Sequence, residues 1–242
     1  MPISILNAGH GGSDPGAVAN GLIERDINMA VAKIAKELME FNGITVPPII
    51  SSSDLNEVIR KVNEINAKQK VGIAHSIHHN AGGGDGSETI HSVHYGQATV
   101  FAKILQEEFD KLGQNRHGNG FVTKLSSDGV RDYHGFIRST DPSAVISEFA
   151  FLDSSDSQAI DSYDEQYAEG EAIAKAHCRF HGITYRSPKQ VVVVPPVTPV
   201  PTLDPDVNLV VWCPASEAQK AIKGINALGY YVEQFPLKLR RD

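Results

Sequence analysis

The feature that most constrains the fold is a short apolar run that passes directly into a glycine-rich turn. Residues 3–6 are long enough for a buried strand, and residues 7–16 then carry His10 among four glycines. Glycine readily adopts the dihedral angles of a sharp turn. The pattern predicts a histidine presented, without bulky neighbours, at the end of a strand. Taken alone, it is equally consistent with a tight bend that carries an incidental histidine.

Amphipathic helical segments alternate with short apolar runs along most of the chain. We predict a helix that begins near Glu24 and ends at Asn42, and further helices over residues 55–67, 98–112 and 155–181. We predict strands over residues 3–6, 44–50, 71–77, 88–95, 136–138 and 144–149. Residues 113–135 are polar and rich in glycine, which favours a surface loop beside the site. This alternation indicates an α/β layer arrangement.

The composition changes after residue 184. Residues 187–205 contain six of the thirteen prolines of the chain, so we interpret residues 185–205 as an extended linker. Residues 206–242 then show a strand–helix–strand pattern, which predicts a small α/β module. So short a segment buries little core of its own. We therefore expect the module to pack on a second copy of the chain or on the main domain, residues 1–184.

Charge, hydropathy and cysteine content exclude several classes of protein. The formal net charge of −7 argues against a protein that holds nucleic acid through its phosphates. No apolar run is long enough to span a bilayer. The first residues lack the basic region and apolar core of a standard secretory signal. We interpret Cys178 and Cys213 as free thiols of a reducing compartment.

Three polar residues at the ends of predicted elements could converge. His10 follows the first strand, Glu24 begins the first helix, and His78 ends a central strand. Two imidazoles and one carboxylate would leave a tetrahedral zinc ion with an open fourth position, as in catalytic sites. Zinc lowers the pKa of water at that position, and the chemistry then needs a general base. Glu148 is the candidate, because a lone carboxylate in the apolar run 144–152 is expensive unless paired or functional.

Each of these residues also has a plainer interpretation. Glu24 could simply compensate the dipole in the first turn of a helix. Local spacing does not decide which of His75, His78 and His79 binds metal. On a strand, His75 and His79 would share the face opposite His78. Glu148 could be the buried partner of a cation such as Arg138.

Four motifs in fixed order carry a family resemblance. They are Gly9-His10-Gly11-Gly12 with Asp14-Pro15-Gly16-Ala17, Glu24-Arg25-Asp26-Ile27-Asn28, Ser76-Ile77-His78 with Asn80-Ala81, and Ser147-Glu148-Phe149. On these motifs, residues 3–182 resemble the zinc-dependent N-acetylmuramoyl-L-alanine amidases of bacterial autolysins and phage endolysins. The resemblance implies a twisted, mostly parallel mixed sheet flanked by helices. It also implies one zinc ion bound by His10, Glu24 and His78, with Glu148 as the catalytic glutamate.

The reaction that this resemblance implies is hydrolysis of peptidoglycan. The bond cleaved is the amide between the lactyl group of N-acetylmuramic acid and L-alanine of the stem peptide. Zinc would hold a water molecule whose proton Glu148 removes. We expect several further residues to orient the metal ligands or contact the substrate: Asn7 and His79, where the chain departs from the usual pattern of the family, and Asn80, Arg131 and His134.

The same features suggest a biological role. We expect a phage or prophage endolysin that is made in the cytoplasm without a standard signal peptide and acts on the cell wall after release. The module over residues 206–242 would then bind the wall, or join copies of the chain into a homo-oligomer. Two alternatives stay open: a zinc peptidase or deacetylase that cleaves another wall bond, and a catalytically silent wall-binding protein.

Overall fold

The computed structural model describes residues 1–188, in which one mixed sheet has helices on both faces. The strands are β1 (Ser4–Ala8), β2 (Val18–Ala19), β3 (Leu22–Ile23), β4 (Ile73–Asn80), β5 (Ser87–His91), β6 (Arg116–Val122) and β7 (Ala144–Phe151). The helices are α1 (Glu24–Phe41), α2 (Leu55–Lys68), α3 (Gln97–Asp110), α4 (Gly135–Ser139) and α5 (Tyr163–Phe180). A 3₁₀ turn, Ser155–Ala159, precedes α5.

The main sheet has five strands in the order β1-β4-β7-β5-β6, and β2 and β3 form a separate hairpin. Strands β1, β4 and β7 run parallel to one another. Strand β5 is antiparallel to β7 and parallel to β6. The prediction of a mostly parallel, mixed sheet flanked by helices is confirmed.

Alternating side chains give the sheet a core on each face. Leu6 of β1 and Ile77 of β4 belong to the larger core, against which α1, α3 and α5 pack. The side chains of Ile5 and Ala74 point to the opposite face of the same two strands. They belong to a smaller core that includes residues of α2 and α4. Consecutive residues of β4 therefore reach opposite sides of the molecule, which decides where its histidines lie.

Helix α1 follows the apolar stripe that the sequence predicts. Ile27, Val31 and Leu38 are all buried in the larger core. The helix begins directly at Glu24, immediately after the β2–β3 hairpin, and its C-cap is Asn42. Because the hairpin fixes where the helix begins, the first residue of α1 is set beside the ends of β1 and β4.

Two predicted strands are wrong. Residues 44–50 contribute only isolated parallel bridges, Ile3 to Thr45 and Asn7 to Ile50, because Pro47 and Pro48 lack the N–H donors of a continuous ladder. Residues 136–138 lie in the short helix α4, where the side chains of Phe136 and Ile137 are buried.

Other predicted boundaries also differ from the structure. Residues 113–135, predicted as a loop, contain β6, an exposed strand at the edge of the sheet that, within residues 1–188, pairs only with β5. The predicted helix over residues 155–181 is broken near Ile160, and α5 starts at a capping box formed by Ser162 and Glu165. The strand predicted over residues 88–95 ends at His91.

The C-terminal predictions fall on residues that the structure does not describe. They are the linker beyond residue 188, the module over residues 206–242 and the state of Cys213, and all three stay predictions. Cys178 is a buried free thiol. Over residues 1–188, no helix combines the length and the apolar character needed to cross a membrane.

Candidate active site

Three side chains from separate elements meet at one end of the sheet. The carboxylate of Glu24 lies between two imidazoles: Oε2 is 3.0 Å from Nε2 of His10, and Oε1 is 3.1 Å from Nδ1 of His78. The two rings are 5.1 Å apart at an interplanar angle of 79°. One ligand atom from each residue lies within 4.8 Å of the others, so the three could hold a metal ion. The structure thus brings together the residues predicted as ligands.

The backbone around His10 is unusual and depends on glycine. His10 has a φ of 64°, a left-handed conformation that costs energy in a non-glycine residue and is common at functional sites. A Cβ on Gly9 would lie 2.2 Å from Cε1 of His78. A Cβ on Gly16, whose φ is 65°, would lie 2.5 Å from Oε2 of Glu24. The glycines therefore make room for the ligand side chains themselves.

Asp14 fixes the orientation of the His10 ring. Its Oδ2 lies 2.7 Å from Nδ1 of His10, and its Oδ1 accepts a hydrogen bond from the backbone N–H of Gly16. Since a carboxylate only accepts hydrogen bonds, Nδ1 carries the hydrogen and Nε2 is left to face Glu24. A carboxylate behind a histidine is the usual support of a metal-binding imidazole.

Glu24 is buried, with 4% of its surface exposed, and is surrounded by donors. Its oxygens accept hydrogen bonds from the backbone N–H groups of Ala17 and His79 and from the amide of Asn28. Burial raises the pKa of Glu24, but the hydrogen bonds from His10 and His78 outweigh burial and lower the pKa well below its usual range. The hydrogen bond to Glu24 raises the pKa of His10 to about 9. The site therefore favours an ionised carboxylate with positive charge beside it.

Glu148 lies next to this cluster on β7. It pairs in register with His78 of β4 and with Glu88 of β5. Its Oε2 is buried and has no hydrogen-bond partner within residues 1–188. Burial first, and then the charges of Glu24 and Glu88, raise the pKa of Glu148 well above its ordinary value. Arg138 instead donates to the backbone carbonyls of residues 132 and 133, so it does not fill the role of an ion-pair partner.

The remaining predicted residues take different positions. Asn7 donates to Oγ of Ser76 and lines the cavity beside His10 and His78. His79 points to the opposite face of the sheet, as the strand alternation predicts. Asn80 donates a 3.4 Å hydrogen bond to Glu88, at the rim of the cluster. Arg131 is exposed and paired with Asp128, so the structure does not bring it to the site.

A cavity of about 230 Å³ opens beside His10 and His78. His134 lines it, and its Nε2 is buried without a hydrogen-bond partner in the described part of the chain. Burial lowers the pKa of His134, so near neutral pH its ring is uncharged. The cavity is also lined by Asn7, His10, Asp14, Ser52, Ser53, Leu55, Val58, Ser76, His78, Gly135, Phe136 and Ile146.

Reasoning from the sequence missed three residues that support the site. Asp14 and Asn28 stand inside the motifs quoted for the family, but no role was assigned to them. Glu169 of α5 is fully buried and binds His79. A signal for Glu169 existed, because Ala172, Ile173 and Ala176 follow it at helical spacing on the apolar side of α5.

Comparison with known proteins places this geometry in a family. Residues 5–178 match the family model described as N-acetylmuramoyl-L-alanine amidase. The endolysin of Bacillus phage SPP1 is 31% identical over 179 residues, which cover 69% of this chain and 62% of that endolysin. The N-acetylmuramoyl-L-alanine amidase CwlM of Bacillus licheniformis is 27% identical over 62% of each chain. The chain therefore spans less than two thirds of the length of these two relatives.

Solved structures show the same fold. Cwp6 from Clostridium difficile is similar with a TM-score of 0.67 at 24% identity, covering 74% of this chain and 29% of that protein. The catalytic domain of CwlV from Bacillus (Paenibacillus) polymyxa gives a TM-score of 0.63 at 21% identity, covering 76% of this chain and 100% of that domain. The family model spans β1 through most of α5, and thus all the elements that carry the site. The chain belongs to the N-acetylmuramoyl-L-alanine amidase family.

Proposed function

We propose that the chain is a peptidoglycan hydrolase that cleaves the amide between the lactyl group of N-acetylmuramic acid and L-alanine of the stem peptide. In this proposal His10, Glu24 and His78 hold one zinc ion, and Glu148 is the general base. The proposal depends chiefly on one observation, the unpartnered buried oxygen of Glu148 beside the cluster of His10, Glu24 and His78.

The residues present fit a zinc ion. Two imidazole nitrogens and one carboxylate are a common catalytic ligand set, which leaves a position open for water or substrate. The carboxylate of Glu24 is buried and ionised, and its negative charge favours a cation between the two rings. When bound, zinc would polarise the scissile carbonyl and lower the pKa of water beside it.

Glu148 is suited to move the proton. Its raised pKa makes the carboxylate a better proton acceptor than an ordinary glutamate, and the unpartnered Oε2 has no competing hydrogen bond to break. We assign Glu148 two steps: it takes a proton from the attacking water and returns it to the leaving amine nitrogen. We assign His134, which lines the cavity and whose Nε2 has no hydrogen-bond partner within residues 1–188, to contact with the substrate.

The biological role follows from the relatives. The similarity to the endolysin of phage SPP1 supports a lytic role in which the chain, made in the cytoplasm, acts on the wall after release. We assign the module over residues 206–242 to wall binding or to dimerisation, as its sequence suggests.

The test is digestion of purified peptidoglycan by the full chain, with products identified by mass spectrometry. We expect stem peptides with free L-alanine amino termini and no new reducing sugars. Glu148→Gln should lower the rate by about 10²–10⁴-fold while retaining zinc, since it removes only the proton acceptor. The control Glu107→Gln alters an exposed glutamate of α3 and should leave the rate unchanged.

Each part of the proposal can fail separately. Full activity of Glu148→Gln with zinc still bound would refute the assignment of the base. Hydrolysis that survives thorough chelation would exclude zinc from the mechanism. Removal of an N-acetyl group would make the chain a deacetylase, and cleavage of an internal peptide bond would make it a peptidase.

A further inference from the structure

Behind Glu24, three buried polar side chains from three elements form a continuous line of hydrogen bonds. Glu169 of α5 lies 3.0 Å from Nε2 of His79 on β4, and the side chains of both are completely buried. Nδ1 of His79 lies 2.7 Å from Oδ1 of Asn28 on α1. The amide of Asn28 then donates to the carbonyl oxygen of Gly9 at 3.1 Å and to Oε1 of Glu24 at 3.3 Å.

The donors and acceptors in this line fix one arrangement of hydrogens. The carbonyl of Gly9 and the carboxylate of Glu24 can only accept, so the NH₂ group of Asn28 must face them and its Oδ1 must face His79. Nδ1 of His79 therefore carries a hydrogen. At 3.0 Å, a further hydrogen lies between Nε2 of His79 and the carboxyl of Glu169.

The line ends on the site and not in the core. Asn28 contacts the carbonyl oxygen of Gly9, where the chain enters the turn that carries His10, and the carboxylate of Glu24. The backbone N–H of His79 also donates to Oε1 of Glu24. A rotation of the His79 ring would therefore release Oδ1 of Asn28 and disturb the contact of the Asn28 amide with Glu24.

We propose that Glu169 and His79 are positioning residues that act through Asn28 to hold Glu24 between His10 and His78. This inference rests on the proposed function, because it assigns Glu24 to the zinc ion. Groups behind a metal ligand typically contribute a factor of 10 to 100 to metal affinity or activity. Glu169 does not line the cavity, and its side chain lies 3.0 Å from Nε2 of His79. We therefore expect Glu169 to affect zinc binding through His79.

The experiment measures zinc affinity of the full chain by competition with a chelator. Glu169→Met keeps the size of the side chain but leaves Nε2 of His79 without a partner, and should weaken zinc binding by about 10-fold or more. Glu169→Gln can donate its amide hydrogen to Nε2 while Nδ1 keeps its own, and should restore affinity close to wild type. The matched control is Glu108→Met, which removes another buried glutamate, one that pairs with Arg179 of α5 away from the site. It should reduce stability without changing zinc affinity.

A second measurement needs no variant of Glu169. Nitrogen NMR of the metal-free wild-type chain should show Nδ1 of His79 protonated, the signal being assigned through its loss in His79→Leu. His79→Leu should also lose zinc affinity to the same degree as Glu169→Met.

Unchanged zinc affinity in folded Glu169→Met, or an equal loss in Glu169→Gln, would overturn the inference. So would a His79 ring that lacks hydrogen on Nδ1, whether or not any variant folds. A wild-type chain that binds no zinc would instead refute the proposed metal site.

Discussion

Acidification should destabilise this protein through a second group of buried histidines, away from the site. His75 and His177 are both completely buried between the sheet and α5. Their rings lie in a line of hydrogen bonds from Ser147 through His75 and His177 to Ser4 and His181, with separations of 2.8, 3.4, 3.1 and 2.8 Å. No carboxylate among the described residues contacts this line, so nothing in it compensates a charged ring.

The magnitude follows from linkage. Burial lowers the pKa of His75 to about 3 and that of His177 well below its ordinary value of 6.5. The folded-state pKa of each lies below the unfolded-state pKa, so the unfolded chain binds more protons as the pH falls through 6.5. Stability is therefore complete above pH 6.5 and is lost progressively toward pH 3. pH 5 lies 1.5 pH units below 6.5 and above the folded-state pKa of His75, and each unit is worth ~1.36 kcal/mol, so His75 removes about 2 kcal/mol.

The loss from His75 alone is a large part of a typical folding free energy of about 5–15 kcal/mol, and His177 adds a loss of the same sign. The assay is urea unfolding followed by far-UV circular dichroism at pH 7, 6 and 5, with chelator present so that metal binding does not contribute. His75→Gln should reduce the loss by about 2 kcal/mol, and His177→Gln should reduce it as well. His94→Gln replaces an exposed histidine and serves as the control. Variants that keep the full wild-type dependence on pH would refute the reasoning.

Two further predictions concern the site. Gly9→Ala should abolish measurable zinc binding while the fold survives, because the new Cβ would lie 2.2 Å from the ring of His78. The control is Gly96→Ala, whose new Cβ meets open space. Equal zinc affinity in the two variants would contradict the prediction. Glu88→Gln removes a negative charge that raises the pKa of Glu148, so the acidic limb of the profile of kcat/KM against pH should move to lower pH. A limb that stays in place, measured on a soluble muropeptide, would show that Glu88 does not tune the base.

The fold could be predicted from the sequence where the signal is local and long. Helix α1 has a full apolar stripe, and β4 and β7 are apolar runs with turn residues at their ends. Residues 136–138 were misassigned because three residues cannot separate a period of 2 from one of 3.6. Strand β6 was missed because its polar, glycine-rich sequence becomes a strand only through pairing with β5, a contact that no local pattern reveals.

The site was predictable to the same extent. His10 and Glu24 stand beside the ends of elements and Glu148 is a lone charge in an apolar run, so these three have a local signal, whereas the choice of His78 among three neighbouring histidines comes from the family resemblance. Glu169 has a local signal for burial, its helical spacing from Ala172 and Ala176, but no local signal for its partner. The partner of Glu169 lies 90 positions earlier in the chain, and only the packing of α5 on the sheet brings the two together.

Strand β4 connects the candidate site with the larger core through two consecutive residues. His78 and His79 are consecutive, and the strand places their side chains on opposite faces. His78 points toward the cavity, whereas His79 points into the core between α1 and α5 and reaches Glu24 from behind through its own N–H and through Asn28. A shift of β4 along its length would therefore displace His78 directly and Glu24 through its hydrogen bonds to His79 and Asn28. The packed sheet and α1 thus fix two residues of the cluster, His78 and Glu24, whereas His10 lies on the glycine-rich turn after β1.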